Sequence, residues 1–150
     1  MNFKEEQNKL DLRLLRVFAN AFQAVHNNLE KDVAKHNLSP ETFRILEFLY
    51  SKGPLPLQKI SEKFSIPSGS ITFVVNKLVK QGLVDRQPNP QDGRANDAVL
   101  TAQGVALFDD IFPKHVETIS QHFSFLDNEE KEQLIALLKK IGFGSQKLQG

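Results

Sequence analysis

The side chains of residues 68–80 are the ones best suited to binding chemistry. At 100° per residue along a helix, Ile71, Val75 and Leu78 fall on one side, and the polar residues fall on the other. Lysines bind phosphates, and hydroxyls and amides bind phosphates or base edges. The pattern favours DNA contact by Ser68, Gly69, Ser70, Thr72, Phe73, Asn76, Lys77 and Lys80. The polar side of any solvated surface helix would look similar.

Phe73 separates these two interpretations because it lies opposite the apolar side of the helix. A phenylalanine in that position needs something to cover it. Contact with a thymine methyl group is one physical use, and packing against a partner protein is another.

A second candidate lies in a turn-rich segment over residues 87–96, where Asp92 precedes Arg94 by two positions. An arginine on a projecting hairpin suits the negative potential of a narrow minor groove. The Asp92 carboxylate could orient the guanidinium through a bidentate pair. The alternative is a solvated turn with a weak surface ion pair.

The elements around these residues predict a winged helix-turn-helix. A short helix over 58–63, a break at 65–67 and a longer helix over 68–81 form the helix-turn-helix. Gly82 is expected to end the longer helix with a left-handed cap. Strands over 83–86 and 98–100, joined by the turn-rich loop, form the wing.

Long amphipathic helices flank this unit. A helix over 8–35 has two apolar stripes, and another begins after Thr101. The last begins at an Asp127–Glu130 capping box and is expected to end at Gly142, with a frayed tail. We therefore predict a mainly α fold: an N-terminal dimerisation helix (1–38), a winged helix-turn-helix with a small β-hairpin (39–100) and C-terminal dimerisation helices (101–150).

These motifs together resemble the MarR (multiple antibiotic resistance regulator) family. The similarity lies in the recognition helix and first wing strand, the wing signature, and the start of the following helix, namely Ser70-Ile71-Thr72, Lys80 to Arg86, Asp92-Gly93-Arg94, Val99-Leu100-Thr101 and Gly104. The resemblance implies a homodimeric, usually repressing, bacterial transcription factor on a pseudo-palindromic operator. It also implies that Arg94 enters the minor groove and Asp92 orients it.

Two residues depart from the family pattern. The family commonly has arginine where this chain has Phe73, so an operator sequence cannot be transferred. It has serine near Pro67, where a helix cap is expected, so the start of the recognition helix is open. The competing function is a winged-helix interaction module that does not bind DNA.

Composition narrows the function further. The chain has 150 residues, a net charge of +1 and no cysteine, which excludes disulfides and thiol sensing. No signal peptide, membrane span, catalytic grouping or convincing metal-ligand set is visible, so we expect a cytoplasmic non-enzyme without cofactor. The central residues 39–100 carry 8 basic and 6 acidic groups, whereas residues 101–150 carry 5 and 7.

Aromatic residues suggest a site for an effector. The sequence contains 12 phenylalanines, several of them in the flanking helices. A lipophilic or phenolic small molecule could bind between these helices and the winged helix, as the resemblance suggests, in contact with Phe18, Phe22, Phe108 and Phe112. The alternative is that these rings only fill the core and a dimer interface.

Overall fold

The computed structural model describes residues 3–149, which form six helices and three strands. The helices are α1 (Phe3–Ala34), α2 (Pro40–Lys52), α3 (Leu57–Lys63), α4 (Ser68–Lys80), α5 (Ala102–Phe123) and α6 (Asn128–Leu148). The strands are β1 (Leu55–Pro56), β2 (Val84–Pro88) and β3 (Asn96–Leu100). The mainly α, winged helix-turn-helix fold predicted from the sequence is confirmed.

The wing is an antiparallel hairpin with a third strand at its edge. Strands β2 and β3 pair from Val84 opposite Leu100 to Pro88 opposite Asn96. On its other edge β3 pairs with β1, so the sheet order is β1-β3-β2. The sequence did not predict β1 because two residues carry no alternation to detect.

The starts of α2, α5 and α6 lie where their capping residues predict them. The Ser39 hydroxyl accepts a hydrogen bond from the Thr42 amide at 3.2 Å, and the Asp127–Glu130 capping box is complete. Gly82 follows α4 with a φ of 78°, the left-handed conformation expected of it. The Thr101 hydroxyl accepts the Gly104 amide at the start of α5 and donates to the Gly82 carbonyl. Thr101 therefore links Gly82, which follows α4, to the first turn of α5.

The chain divides after His115 into two compact units. The first contains the buried core, to which the winged helix contributes most residues: Phe43, Ile45, Leu46, Leu49, Ile60, Ile66, Ile71, Val75, Leu78, Leu83, Val84 and Ala98. Val33 of α1 and Phe108 and Ile111 of α5 complete this core. The winged helix thus packs against residues on both sides of it in sequence.

The second unit contains the end of α5 and the whole of α6. Every residue of α6 is at least partly exposed, including Leu134, Ile135, Leu137, Leu138 and Ile141. The expectation that α6 ends at Gly142 with a frayed tail is wrong, since the helix continues to Leu148. A helical glycine costs only about 1 kcal/mol relative to alanine, so Gly142 does not by itself end a helix.

Candidate nucleic-acid interface

Helix α4 presents the two faces that its sequence predicts. Ile71, Val75 and Leu78 are buried in the core. The eight α4 residues proposed for DNA contact are all exposed, as is Arg94 in the wing: Ser68, Gly69, Ser70, Thr72, Phe73, Asn76, Lys77 and Lys80. Because the apolar side is anchored by three buried residues, the exposed side has a defined direction.

The first turn of α4 is open to a ligand. The helix begins at Ser68 directly after Pro67, whose side chain makes no capping hydrogen bond. In the preceding turn, Ser65 adopts a left-handed conformation with a φ of 53°. A hydrogen bond from the Ser61 hydroxyl to the Ile66 carbonyl stabilises this turn. This arrangement settles the start of the recognition helix. The Ser70 and Ile71 amides donate to the Pro67 carbonyl, and the amides that precede them lie at the positive end of the helix dipole, which favours an anion.

The wing tip is organised by side-chain oxygens that accept backbone N–H groups. Asn89 Oδ1 accepts from the Gln91 amide at 2.8 Å and from the Asp92 amide at 3.1 Å. Asp92 Oδ1 in turn accepts from the Arg94 amide at 3.0 Å. No ion pair joins the Asp92 carboxylate to the Arg94 guanidinium within residues 3–149, and the orienting role of Asp92 stays a prediction. Asp92 acts on the backbone because an Asx-type turn places its oxygen over the next amides.

The base of the wing is joined to α4 by a residue that the sequence interpretation missed. Arg86 of β2 directs Nη2 toward the Thr72 carbonyl at 3.4 Å. Its Nε atom is buried and has no hydrogen-bond partner within the described residues. A strand arginine gives no local signal for such a contact, because the partner carbonyl lies 14 residues away.

Similarities to known proteins identify the family. The MarR family model matches residues 38–95. The chain is 40% identical to the uncharacterised HTH-type transcriptional regulator YkoM of Bacillus subtilis, over 99% of this chain and 96% of that protein. It is 39% identical to the HTH-type transcriptional regulator MhqR of the same organism, over 90% and 93% of the two chains. The chain belongs to the MarR family of transcriptional regulators.

Solved structures share the fold of this MarR-family protein. Sco3205 from Streptomyces coelicolor, a MarR-family regulator solved in complex with DNA, has a TM-score of 0.75 and 20% identity, covering 96% of this chain and 89% of its own. NadR, solved with 4-hydroxyphenylacetate, has a TM-score of 0.70 and 26% identity, covering 83% and 88%.

In this MarR-family chain the four phenylalanines expected at an effector site occupy two environments. Phe18 and Phe22 are exposed on α1, and the Phe22 ring stacks on His26. Phe108 is fully buried, with its ring 5.3 Å from that of Phe43, and Phe112 packs on Tyr50 at 5.4 Å. Phe108 therefore serves the core, and the pocket itself stays a prediction.

A different concavity lies beside the wing of the MarR-family protein. It has a volume of about 290 Å³, and its lining is formed by Pro56, Leu57, Gln58, Asp92, Arg94, Ala95 and Asn96. The strand β1 brings the start of α3 next to the wing, which forms this groove. Its lining is mixed and partly polar, unlike the aromatic pocket expected from the sequence.

The histidines do not assemble into a metal site within residues 3–149, where no group of three or more potential ligands converges. His115 is buried and contacts Asp32, and His26 pairs with Glu30 on the surface of α1. Over the same residues, no helix has both the length and the apolar character needed to span a membrane.

Proposed function

We propose that this chain is a homodimeric DNA-binding repressor whose two α4 helices enter successive major grooves of a pseudo-palindromic operator. The observation that carries the proposal is the anchored helix α4, which exposes Lys77, Lys80 and Asn76 on the side opposite its buried residues. The wing places Arg94 at an exposed tip, from which it reaches the adjacent minor groove. Phosphate contacts then fix the register, and base contacts select the sequence.

The charge distribution supports an anionic partner. Residues 39–100 carry a net charge of +2, although the whole chain carries only +1. One of the acidic groups in this segment, Asp97, is buried and accepts a hydrogen bond from the Asn89 amide group at 2.9 Å. Dimerisation would double the positive excess that faces DNA, and the binding energy would depend strongly on salt.

Exposed apolar side chains on each of the flanking helices α1 and α6 could contact a second copy. On α1 they include Leu10, Leu14, Val17, Phe18 and Phe22, and on α6 they include Leu134, Ile135, Leu138 and Ile141. Apolar surface of this extent is covered in a stable soluble protein. We therefore assign residues 1–38 and 101–150 to dimerisation and residues 39–100 to DNA binding. A two-fold dimer would present two α4 helices about one DNA turn apart.

Release from DNA would follow when a lipophilic or phenolic effector changes the separation of the two α4 helices. Phe18 and Phe22 provide exposed aromatic surface for such a molecule, and Phe112 packs on Tyr50, which also contacts the buried Phe108. NadR, at 26% identity, binds a phenolic acid in its solved structure. We therefore include a lipophilic or phenolic effector in the proposed function.

We also infer that the chain is not an enzyme and that it acts in the bacterial cytoplasm, where its operator lies. Its relatives YkoM and MhqR are named as transcriptional regulators. The competing proposal, a winged-helix protein module that does not bind DNA, predicts that Lys77 and Arg94 are dispensable.

Fluorescence anisotropy with the full chain and duplexes from upstream of its own gene tests the proposal. We expect binding that weakens by orders of magnitude between about 50 and 200 mM salt. Lys77→Ala and Lys80→Ala should each lower the slope of log affinity against log salt by about two in a dimer, one per lost phosphate contact. The matched controls Lys139→Ala and Lys140→Ala on α6 should leave the slope unchanged. Salt-independent binding, no binding, or equal effects of all four variants would overturn the proposal.

A further inference from the structure

Phe73 is an anomaly on the surface of the winged helix. Within residues 39–100, all of which the structure describes, it is the one large hydrophobic side chain that is exposed, at 73% of its area. The other large apolar residues of this segment are buried or half-buried. Since exposure of one aromatic ring on the proposed DNA-binding face has an energetic cost in water, a contact made on binding is the natural explanation.

The neighbours of Phe73 define what can approach it. Gly69 and Ser70 lie one turn before it on the same side of α4, and Asn76 and Lys77 lie one turn after it. A Cβ atom placed on Gly69 would meet nothing within 4 Å. The small residues Gly69 and Ser70 leave room for close approach of another molecule. Along α4, the Phe73 ring lies between these residues and the turn that carries Lys77.

A protein partner fits this surface poorly. A stable protein interface buries about 800 Å² on each partner and has an apolar centre depleted of charge. Here a single ring has Asn76 and Lys77 one turn away and Lys80 two turns away, all of them exposed. Lysines around one apolar group instead match the DNA major groove, where phosphates border the base edges.

The base edges in the major groove offer one apolar group against which a phenyl ring can pack, the thymine methyl group. Thymine presents a C5-methyl group there, whereas the other major-groove positions present hydrogen-bond donors or acceptors. A phenyl ring makes no hydrogen bond, so it gains only from the methyl group. Asn76, one turn away, has the amide geometry that matches adenine N6 and N7.

We propose that Phe73 is a specificity-determining residue that reads a thymine methyl group in the major groove of the operator. The inference rests on the proposed function, because it requires α4 to lie in that groove. It defines the operator chemically: each half-site contains a thymine that 5-methylcytosine, but not uracil, could replace at the Phe73 contact.

Replacing thymine by uracil tests this directly, since uracil keeps every hydrogen-bonding group and removes only the methyl group. The probe is a duplex selected by the full chain from a random library, with each thymine replaced in turn by deoxyuridine. For the wild-type protein we expect one position in each half-site at which affinity falls about fourfold, the effect of losing one buried methyl group. Replacing both symmetry-related thymines should lower affinity about sixteenfold.

Protein variants identify the side chain that discriminates between the thymine and uracil duplexes. Phe73→Ala should bind the thymine and uracil duplexes equally, and Phe73→Leu should retain part of the discrimination. Asn76→Ala, one turn away on the same face, should bind more weakly but keep the full ratio between the duplexes. Cytosine at the sensitive position should weaken wild-type binding, and 5-methylcytosine should recover part of the loss.

The outcomes separate this inference from the proposed function. If no thymine is sensitive to methyl removal, or if Phe73→Ala keeps the same sensitivity, the inference is wrong while salt-dependent DNA binding still stands. If the library yields no bound duplex, the proposed function fails and the inference fails with it.

Discussion

The imidazole Nδ1 of His115 lies 2.9 Å from the Asp32 carboxylate oxygen Oδ2, and this contact joins α5 to α1 across 83 residues of sequence. Both side chains are largely buried, with 10% and 13% of their areas exposed. The His115 ring also packs against Phe43 of α2, at a centroid distance of 4.6 Å. One histidine therefore holds together three helices of the N-terminal unit.

We predict that breaking this pair destabilises the fold. His115→Ala and Asp32→Ala should each lower the free energy of unfolding by about 2 kcal/mol, since each leaves a buried polar group with a lost partner. A double-mutant cycle in urea, at one fixed protein concentration, should show a coupling energy of about 1–2 kcal/mol. The exposed pair His26–Glu30 has the same 2.9 Å separation and is the control. Its coupling energy should be below about 0.5 kcal/mol, and equal values for both pairs would contradict the role of burial.

Gly104 is expected to tolerate no larger residue. A Cβ atom there would overlap the Leu83 carbonyl oxygen and the Leu100 side chain. Because one of these atoms belongs to the backbone, Gly104→Ala should lower the free energy of unfolding by about 1–3 kcal/mol. The control is Gly69→Ala in α4, which has open space around it and should gain up to about 1 kcal/mol. Thermal unfolding of both variants without DNA checks the prediction, and a Gly104→Ala protein as stable as wild type would refute it.

The pKa of Tyr50, which can be measured by absorbance, depends on a contact between α2 and α5. Its hydroxyl donates a hydrogen bond to Asp109 Oδ1 at 2.7 Å. This bond, with burial and the negative charge of Asp109, raises the pKa of Tyr50 above its ordinary value of 10.0. Since the folded-state pKa is the higher one, the neutral tyrosine stabilises the fold below pH 10.0, and this contribution is lost as pH rises through the folded-state pKa.

The sequence contains one tyrosine and no tryptophan, so tyrosinate absorbance reports on Tyr50 alone. We expect its titration midpoint to lie above that of the urea-unfolded chain and to fall in Asp109→Ala. Asp110→Ala removes a neighbouring carboxylate that pairs with Lys114 and should leave the midpoint in place. A midpoint unaffected by Asp109→Ala would show that the hydrogen bond does not control the pKa.

Arg94→Ala should weaken binding to every DNA sequence and lower the salt slope, because the lost charge interacts with the groove and its phosphates. The effect should be larger when the flanking sequence is an A-tract, whose narrow minor groove concentrates negative potential. Asp92→Ala should weaken binding less, since it keeps the guanidinium and removes only the hydrogen bond to the Arg94 amide. Anisotropy with A-tract and G·C-flanked duplexes measures these differences. Unchanged affinity and slope in Arg94→Ala would exclude the wing from DNA binding.

The sequence by itself determined the features that depend on neighbours along the chain. Helical periodicity placed Ile71, Val75 and Leu78 in the core and left Phe73 exposed. Capping chemistry placed the starts of α2 and α6, and Gly82 took its left-handed conformation. These features follow from interactions within about one helical turn, so local residue types are enough to predict them.

Only the tertiary structure decided the features that depend on distant partners. The contact of Arg86 with the Thr72 carbonyl, the pair of His115 with Asp32 and the short strand β1 join segments with no local signal for one another. The same holds for Phe108, which the sequence suggested for an effector site and the fold buries in the core. A side chain's partner across the fold is set by how helices and strands pack in three dimensions, and residue spacing alone does not contain that information.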